Sequence, residues 1–390
     1  MLDNILKEDC CGCSACAQAC PNSCINMILD EEGFWYPKID KKNCINCKKC
    51  ENVCPTKKNS INNNERKGTV YISYALDDGI RLQSSSGGMF RLIAEEAINN
   101  SMIVYGAAFD SLFEVHHIAV DKIEDIRQLQ GSKYIQSRID DAYTDIKKKL
   151  KNGKKVLFAG TPCQVAGLKS FLQQDYEHLI TIGILCNGVP SLKIWRKYIE
   201  EQKQNFKSEI QEISFRNKQN GWKSYSVYIK FCDGSVYNCF FADDLFMQLF
   251  LSNICLRPSC YNCHFKDVWN MADIVLGDCW GVENHSPEMD DNKGTSVVFV
   301  NSTKGETLWK PASSKMALKI TNFNEVFSET SEVIKSAWRH PNRRRLFKLI
   351  ENRDLKQLKL LISVSPIKRF LYKLIKIVFR DNNECGNDNI

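Results

Sequence analysis

The cysteines near the amino terminus constrain this chain more than any other feature. One run reads Cys10-x2-Cys13-x2-Cys16-x3-Cys20-Pro21, and a second reads Cys44-x2-Cys47-x2-Cys50-x3-Cys54-Pro55. Each cysteine of the second run lies 34 positions after its counterpart, as Cys44 does after Cys10, so the segment is an internal duplication. In this spacing three thiolates wrap one four-iron cubane, and the fourth, beside proline, binds the other cluster.

The duplication therefore predicts two 4Fe–4S clusters with interleaved ligands. The first is expected to bind Cys10, Cys13, Cys16 and Cys54, and the second Cys44, Cys47, Cys50 and Cys20. Cys11 and Cys24 fall outside the pattern, and we interpret them as packing residues. Zinc ribbons use two separated cysteine pairs instead of runs of four, and disulfides are disfavoured where thiols stay reduced.

Two short strands are predicted between the cysteine runs. SCINMI and GFWYPKI alternate in the manner of strands and are joined by a DEEG turn. With these strands, residues 1–56 resemble the bacterial two-cluster ferredoxins. That resemblance implies electron transfer and leaves the substrate open.

Composition bounds the remaining chain. The 390 residues have room for two or three domains. No apolar run is long enough for a membrane span, and the start MLDNILKEDC lacks a signal-peptide core, so a cytoplasmic location is expected. A net charge of +7 without a long basic block in the first 330 residues argues against nucleic-acid binding. Nineteen cysteines then require a metal or redox explanation.

The patterns predict a fold of the α+β and α/β classes. KKVLFAG and ITIGIL read as buried strands, each followed by a helix, which indicates a parallel unit. Thr161 and Gln164 are expected to form a capping box, and Ser191 to cap the next helix. EISFRNK, YSVYIKF and SVYNCFF predict an antiparallel meander. The expected domains are a ferredoxin domain (1–56), a linker (57–69), two parts of a mixed α/β core (70–150 and 151–330) and a basic helical segment with a polar tail (331–390).

Two segments could bind a phosphate, although no Rossmann or Walker fingerprint is present. SSSGG, residues 84–88, precedes a helix that Ser86 is expected to cap, and its backbone N–H groups suit an anion. GSKY supplies the cation of Lys133 beside the aromatic ring of Tyr134. Physics alone favours the alternative for each segment, a plain cap or loop.

A further cysteine group, Cys255-x4-Cys260-x2-Cys263, suits a third cluster or a zinc ion. Its fourth ligand is not local. Cys186 ranks first because it ends a buried strand. Cys163 ranks second, in the first turn of a helix whose dipole is expected to lower the pKa of the thiol, and Cys279 ranks third.

Taken in order, the segments SSSGG, GSKYIQS, GTPCQVAGLK, CNGVPS, SFRNKQNGW, CYNCHFK, ADIVLGDCWG and KGTSVV resemble the coenzyme F-420 hydrogenase/dehydrogenase beta subunit family. The likeness runs from about residue 70 to 345, and the fused ferredoxin is typical of a bacterial branch associated with polysaccharide biosynthesis. It implies that the core binds flavin, as FAD near Ser85, Ser86, Gly87, Gly88, Lys133 and Tyr134. It also implies a third 4Fe–4S cluster at Cys255, Cys260 and Cys263, completed by Cys186 or Cys163.

The function expected from this resemblance is an iron–sulfur flavoprotein oxidoreductase. Electrons from a ferredoxin or another redox protein would pass to FAD and a small organic substrate, with Lys133, Cys163, Asp278 and Trp280 as candidates at the flavin. His117 and His264 are weaker candidates as proton donors. The alternatives are an electron-transfer subunit that docks on a separate catalytic protein, and a scaffold whose clusters only stabilise the fold.

The basic segment IKRFLYKLIKIVFR near the carboxyl terminus has an apolar stripe with Lys and Arg between. A membrane-surface helix is the sharper interpretation, which would make the protein membrane-peripheral. We favour a helix that packs on the core or on a partner. The final RDNNECGNDNI has the composition of a disordered tail.

Overall fold

A computed structural model describes residues 5–57, 68–266, 272–327 and 334–363. Most of the predicted linker lies outside the described residues, as do the basic segment at 367–380 and the polar tail. Within the described ranges, no helix is both long enough and apolar enough to cross a bilayer.

The described strands form three sheets. They are β1 Ile25–Leu29, β2 Trp35–Ile39, β3 Thr69–Ala75, β4 Met102–Phe109, β5 Val115–Val120, β6 Lys155–Gly160, β7 Leu179–Ile184, β8 Ile210–Asn217, β9 Ser226–Phe231, β10 Val236–Phe240, β11 Ile274–Asp278, β12 Ser296–Val300 and β13 Met316–Thr321.

The α-helices of the same residues are α1 Ala15–Gln18, α2 Lys49–Asn52, α3 Asp78–Gln83, α4 Met89–Asn99, α5 Ile126–Leu129, α6 Ala142–Lys151, α7 Pro162–Leu172, α8 Leu192–Phe206, α9 Leu245–Leu251, α10 Val282–His285, α11 Thr303–Ala312, α12 Phe323–Val326, α13 Arg343–Leu349 and α14 Leu355–Lys359. Short 3-10 helices cover Ile123–Asp125, Pro258–Asn262, Pro287–Met289 and Ser313–Lys315.

The N-terminal region has the ferredoxin-like arrangement that the sequence predicts. Strands β1 and β2 pair antiparallel, with Ile25 opposite Ile39. Asp30 closes the turn between them, because its carboxylate accepts hydrogen bonds from the backbone N–H groups of Glu32 and Phe34. Helices α1 and α2 lie within the two cysteine runs and contain Cys16 and Cys50, respectively.

The large sheet has eight strands in the order β13-β3-β12-β11-β7-β6-β4-β5. Its centre is parallel, since β4 pairs with β6, β6 with β7 and β7 with β11 in the same direction. The predicted parallel unit is therefore confirmed. Both ends of the sheet are antiparallel, through β5 on one side and β12, β3 and β13 on the other.

Helices cover both faces of this sheet, as buried parallel strands require. Helices α4 and α11 pack on one face, and α6 and α7 pack on the other. Two predicted caps are confirmed: the Thr161–Gln164 box starts α7, and Ser191 accepts from the Lys193 backbone N–H at the start of α8.

The ferredoxin-like region packs against α7, and a glycine permits the close approach. A Cβ atom added at Gly167 would lie 2.8 Å from the Cβ of Cys13. Any larger residue at 167 would therefore push the first cysteine run away from the core.

The predicted meander forms a separate three-stranded sheet in the order β10-β9-β8. It encloses an apolar cluster with α8, α9, α13 and α14, in which Trp195 is almost fully buried. Arg343 of α13 donates two hydrogen bonds to Glu32, so this unit is also joined to the ferredoxin-like region.

Candidate iron–sulfur and flavin sites

The first cluster cavity lies within the ferredoxin-like region. Cys10, Cys13, Cys16 and Cys54 line it together, which is the set predicted for the first cluster. Three of the four side chains are buried, and Cys16 is half-buried. Cys11 also lines this cavity.

The second cluster cavity takes Cys20, Cys44, Cys47 and Cys50, again the predicted set. Each cavity thus receives three cysteines from one run and the proline-linked cysteine from the other. Cys24 also lines the second cavity, with its Sγ 3.3 Å from that of Cys20. We interpreted Cys24 as a packing residue, and the structure places its thiol beside a candidate ligand.

The duplication is visible in the backbone as well as in the cysteines. Gly12 and Ser14 have φ values of 69° and 63°, and their counterparts Asn46 and Lys48 have 55° and 58°. These left-handed residues alternate with the first three cysteines of each run. They turn the chain so that successive thiols reach the same cavity.

Arg257 is a buried cation beside the first cavity. Its Nε donates to the carbonyl oxygen of Cys10 at 2.8 Å, and its Nη2 lies 3.7 Å from the Cys10 Sγ. Nη1 donates to Gln136, whose side-chain amide donates to the Cys11 carbonyl. The guanidinium also stacks on the ring of Tyr36, at 4.3 Å from its centroid. Its positive charge would offset the negative charge of a thiolate-bound cluster.

The core cluster cavity lies at the junction between α7 and the loop after β7. The cysteines that line it are Cys11, Cys163, Cys186, Cys260 and Cys263. Cys260 reaches it from the short helix Pro258–Asn262.

Cys255 and Cys279 are not among the lining residues of the core cavity. Cys255 is fully buried in the apolar cluster of the meander unit, and its thiol donates to the Leu249 carbonyl at 3.4 Å. Cys279 is buried in the apolar cluster on the α7 side of the large sheet. The structure therefore brings together four core cysteines: Cys163, Cys186, Cys260 and Cys263. Cys163 lines the cavity where Cys255 was predicted to do so.

These four thiols form a donor set that either a four-iron cluster or a zinc ion could use. Among the described residues, no three His, Cys, Asp or Glu side chains converge closely enough to hold one metal ion. A tetrahedral zinc ion needs its sulfurs about 2.3 Å from one centre, whereas a cubane holds its thiolates apart around four irons.

Burial keeps the core thiols protonated in the metal-free chain. It raises the pKa of Cys186 to about 12 and that of Cys263 to about 11. The pKa of Cys163 is raised well above its usual range by its hydrogen bond with Cys11 and by burial. The predicted lowering by the helix dipole is therefore wrong, because these two effects outweigh it. Cluster binding would have to displace these protons.

A large cavity, of about 320 Å³, opens at the carboxyl ends of the parallel strands. It is bordered by the ends of β4, β6, β7 and β11, where open α/β sheets bind their ligands. Five of the residues predicted to bind flavin line it: Ser85, Ser86, Gly88, Lys133 and Tyr134. Gly87, the sixth, is not among the lining residues and donates its backbone N–H to the hydroxyl of Ser296, which is.

The start of α4 presents backbone N–H groups to this cavity. Its N-cap is Gly88, with φ of 91°, and no side chain caps the helix. The predicted capping by Ser86 is wrong, because the Ser86 hydroxyl donates to the Thr295 carbonyl at 2.8 Å. An uncapped start of an 11-residue helix beside a cavity suits a phosphate group.

Two lysine side chains lie near this helix start: Lys133 lines the cavity, and Lys218 contacts the Ser86 backbone without lining it. Lys133 Nζ donates to the Gln130 carbonyl at 2.9 Å, and burial lowers its pKa to about 7. Lys218 Nζ donates to the Ser86 carbonyl at 2.9 Å, and burial likewise lowers its pKa to about 7. Among the described residues the Lys133 ammonium contacts backbone carbonyls and no carboxylate, and an anion bound in the cavity would favour its charged form.

Of the other candidates for the flavin site, Asp278 and His117 line the large cavity and Trp280 does not. Asp278 lines the cavity and accepts a hydrogen bond from Arg216 at 2.9 Å. Trp280 instead stacks on Trp222 with ring centroids 4.3 Å apart. His117 lines the cavity.

His117 and His264 occupy different environments. His117 is buried between Ser137 Oγ and the Ala159 carbonyl, at 2.7 and 3.0 Å, and burial lowers its pKa to about 4. An imidazole with that pKa is neutral at pH 7, which makes it a poor proton donor. His264 lines the core cluster cavity instead, with its Nε2 3.4 Å from Asp9 Oδ1.

The three inner cavities share walls. Cys163 and Cys186 line both the core cluster cavity and the large cavity, and Cys11 lines these two and the first cluster cavity. Sequence reasoning missed Cys11 and Arg257. The sequence signals were the adjacency of Cys11 to the predicted ligand Cys10 and the position of Arg257 between Cys255 and Cys260.

Comparison with known proteins agrees with this division of the chain. Residues 9–58 match the 4Fe-4S dicluster domain, and residues 153–326 match the C terminus of the coenzyme F420 hydrogenase/dehydrogenase beta subunit. The chain thus joins a two-cluster iron–sulfur domain to a segment similar to an oxidoreductase subunit.

Among solved structures, a chain from the F420-reducing [NiFe] hydrogenase complex of Methanosarcina barkeri is 18% identical, with a TM-score of 0.44. The match covers 75% of this chain and 89% of that chain. No functionally curated protein matched the sequence.

Proposed function

We propose that this protein is an iron–sulfur flavoprotein oxidoreductase that relays electrons between a ferredoxin-type carrier and a small organic substrate. The observation that carries the proposal is the shared wall of the core cluster and large cavities at Cys163 and Cys186. A carrier bound by these thiols would adjoin whatever occupies the large cavity.

Twelve cysteines would hold three 4Fe–4S clusters. They are the eight of the two N-terminal cavities together with Cys163, Cys186, Cys260 and Cys263. FAD would be held by its pyrophosphate at the start of α4, near Ser85, Ser86 and Lys133. When bound, the clusters supply one-electron steps and the flavin joins them to a two-electron reaction.

The chain's own residues position the flavin and exclude water from the core cavity. The N–H groups at the start of α4 and the Lys133 ammonium would bind the anionic part of the cofactor. Arg216 donates to both Asp278 and Tyr134, and the Asp278 carboxylate, which lines the cavity, could also accept a hydrogen bond from a substrate or flavin N–H. The resemblance implies a substrate of polysaccharide synthesis.

The alternative is a subunit that passes electrons to a separate catalytic protein. The beta-subunit similarity of residues 153–326 favours this second candidate. The two differ in one measurement: whether the purified chain, supplied with a reduced low-potential donor, turns over a substrate alone or reduces only dyes.

Anaerobic purification with iron, sulfide and flavin counted tests both candidates. We expect about twelve irons and one FAD per chain. Eight irons with one zinc and no flavin would overturn the proposal for the core. Clusters that dithionite cannot reduce would leave only a structural role.

A further inference from the structure

The second cluster cavity opens on an exposed surface. Cys47, one of its candidate ligands, is exposed, and the neighbouring Ile45 side chain is 62% exposed. The first cavity differs, since Cys10, Cys13 and Cys54 are all buried and Arg257 and α7 cover that side. Among the N-terminal cavities, the second therefore offers the shorter route from solvent.

Lysines are numerous in the segment that forms this opening, and one of them, Lys48, lines the cavity. Residues 38–57 contain six lysines (Lys38, Lys41, Lys42, Lys48, Lys49 and Lys57) and two acidic residues (Asp40 and Glu51). All six lysines are exposed. Of these, Lys38, Lys42, Lys48 and Lys49 form no ion pair with a carboxylate in the described part of the chain. We call the exposed surface formed by Lys38, Lys42, Lys48, Lys49 and Ile45 the basic face.

The basic face has no evident structural use. Lysines that stabilise a fold usually pair with carboxylates, as Lys7 does with Asp30 at 2.7 Å in the same region. Unpaired lysines beside one another repel, so they weaken the folded state slightly. An exposed apolar side chain at the centre of a charged rim is the composition of a docking site.

We propose that the basic face is the docking surface of an acidic one-electron carrier protein of the ferredoxin type. This rests on the proposed function, in which the second cavity holds a cluster. Opposite charges would steer the partner to the opening, and Ile45 would make the apolar contact at its centre. Electron-transfer complexes are small and short-lived, so a few lysines around one apolar residue suffice.

A charge-reversal variant tests the docking surface. In K38E/K42E/K49E the side chains change on the basic face, and no cavity-lining residue is altered. The measurement is stopped-flow reduction of the iron–sulfur absorbance by a reduced, acidic plant-type ferredoxin. At low salt we expect the second-order rate constant to fall about tenfold or more, and the difference to shrink at high salt.

A matched control carries the same charge change elsewhere. Lys148, Lys151 and Lys154 are exposed at the end of α6 and in the loop after it. K148E/K151E/K154E should react with ferredoxin at close to the parent rate. Methyl viologen, a small cationic donor, should reduce both variants at least as fast as the parent, because the substitutions replace positive charge by negative charge.

Two outcomes would overturn the docking surface. One is an equal loss of rate in both triple variants, which would reflect net charge alone. The other is an unchanged rate of reaction with ferredoxin in K38E/K42E/K49E. If that variant also stops binding to vesicles with 30% phosphatidylserine, the basic face contacts a membrane and not a carrier protein. Rates are compared only between chains with matching iron content and dithionite-reduced EPR signal. A chain that binds no clusters would count against the proposed function, and iron analysis would show this before any ferredoxin is added. A changed or unchanged ferredoxin rate then tests the docking surface alone.

Discussion

The guanidinium of Arg257 holds Cys10 at two atoms, with Nε 2.8 Å from its carbonyl oxygen and Nη2 3.7 Å from its sulfur. Arg257 also lines the core cluster cavity. A single buried cation thus lies between two candidate cluster sites. Hydrogen bonds and positive charge at a cluster sulfur stabilise the reduced state, which carries the greater negative charge.

Replacing Arg257 should therefore lower the potential of the first cluster. In R257Q the charge is lost, and we expect a fall on the order of 60 mV, since about 1.4 kcal/mol corresponds to 59 mV for one electron. R257K, which keeps the charge, should restore part of the loss. The measurement is a redox titration followed by EPR, in which the first-cluster component shifts most, the core component shifts less, and the component of the second cluster stays.

Arg343 provides the control for burial. It is also a buried arginine, but it pairs with Glu32 and donates to the Leu256 carbonyl. R343Q should lower the melting temperature without moving any potential. A uniform shift of all potentials in R257Q would contradict the local role of Arg257.

The core ligand set gives a second prediction. In C163S, the core cluster should be lost, and iron should fall by about one third, from about twelve per chain to about eight. In C255S the iron content should stay near that of the parent, because Cys255 contacts Leu249 and not the cavity. Iron and sulfide analysis of both variants decides the point, and the opposite pattern would restore Cys255 as the ligand.

The choice between Cys163 and Cys255 as a core ligand could not be made from the sequence alone. Spacing alone predicted the N-terminal ligand sets, because each loop is too short to send its thiol elsewhere. In the core, Cys255 stands five residues from Cys260. That separation allows the Cys255 thiol to point either into the cavity or away from it. The chain crosses Arg257 and Pro258 between them, so one thiol enters an apolar cluster while the other reaches the cavity.

Pairing between strands that are distant in sequence limited how much of the fold could be predicted. The buried strands β6 and β7 were predicted from their continuous apolar runs, which parallel strands covered on both faces must have. Strands β3 and β13 carried no such signal, and they pair with each other across more than 200 residues. Local patterns could not show that the sheet continues past β12.

Flavin retention is the third prediction. Lys133 lines the large cavity without a carboxylate partner in the described residues, so K133M should lower the flavin content several-fold by removing a cation from an anionic ligand. Flavin absorbance per chain is the measurement, with iron content as the internal check. K148M, at an exposed position on α6, should keep the parent value. Full flavin retention in K133M would contradict the predicted contact.

The buried His117 gives a pH dependence of stability. Its pKa falls from 6.5 to about 4 on folding, since burial disfavours the imidazolium. The unfolded chain therefore binds the proton more readily between these values, and the stability present above pH 6.5 is lost as the pH falls towards 4. From pH 7.5 to 5.5 we expect a loss of about 1.4 kcal/mol from this group.

Urea unfolding of the parent and H117Q at both pH values measures this contribution. H117Q should be less stable at pH 7.5, because the hydrogen bonds to Ser137 and Ala159 are disturbed, but its stability should change less with pH. H178Q alters an exposed histidine and should keep the parent's slope. If H117Q loses as much stability as the parent between pH 7.5 and 5.5, His117 is not the group that titrates, and its candidacy as a proton donor reopens.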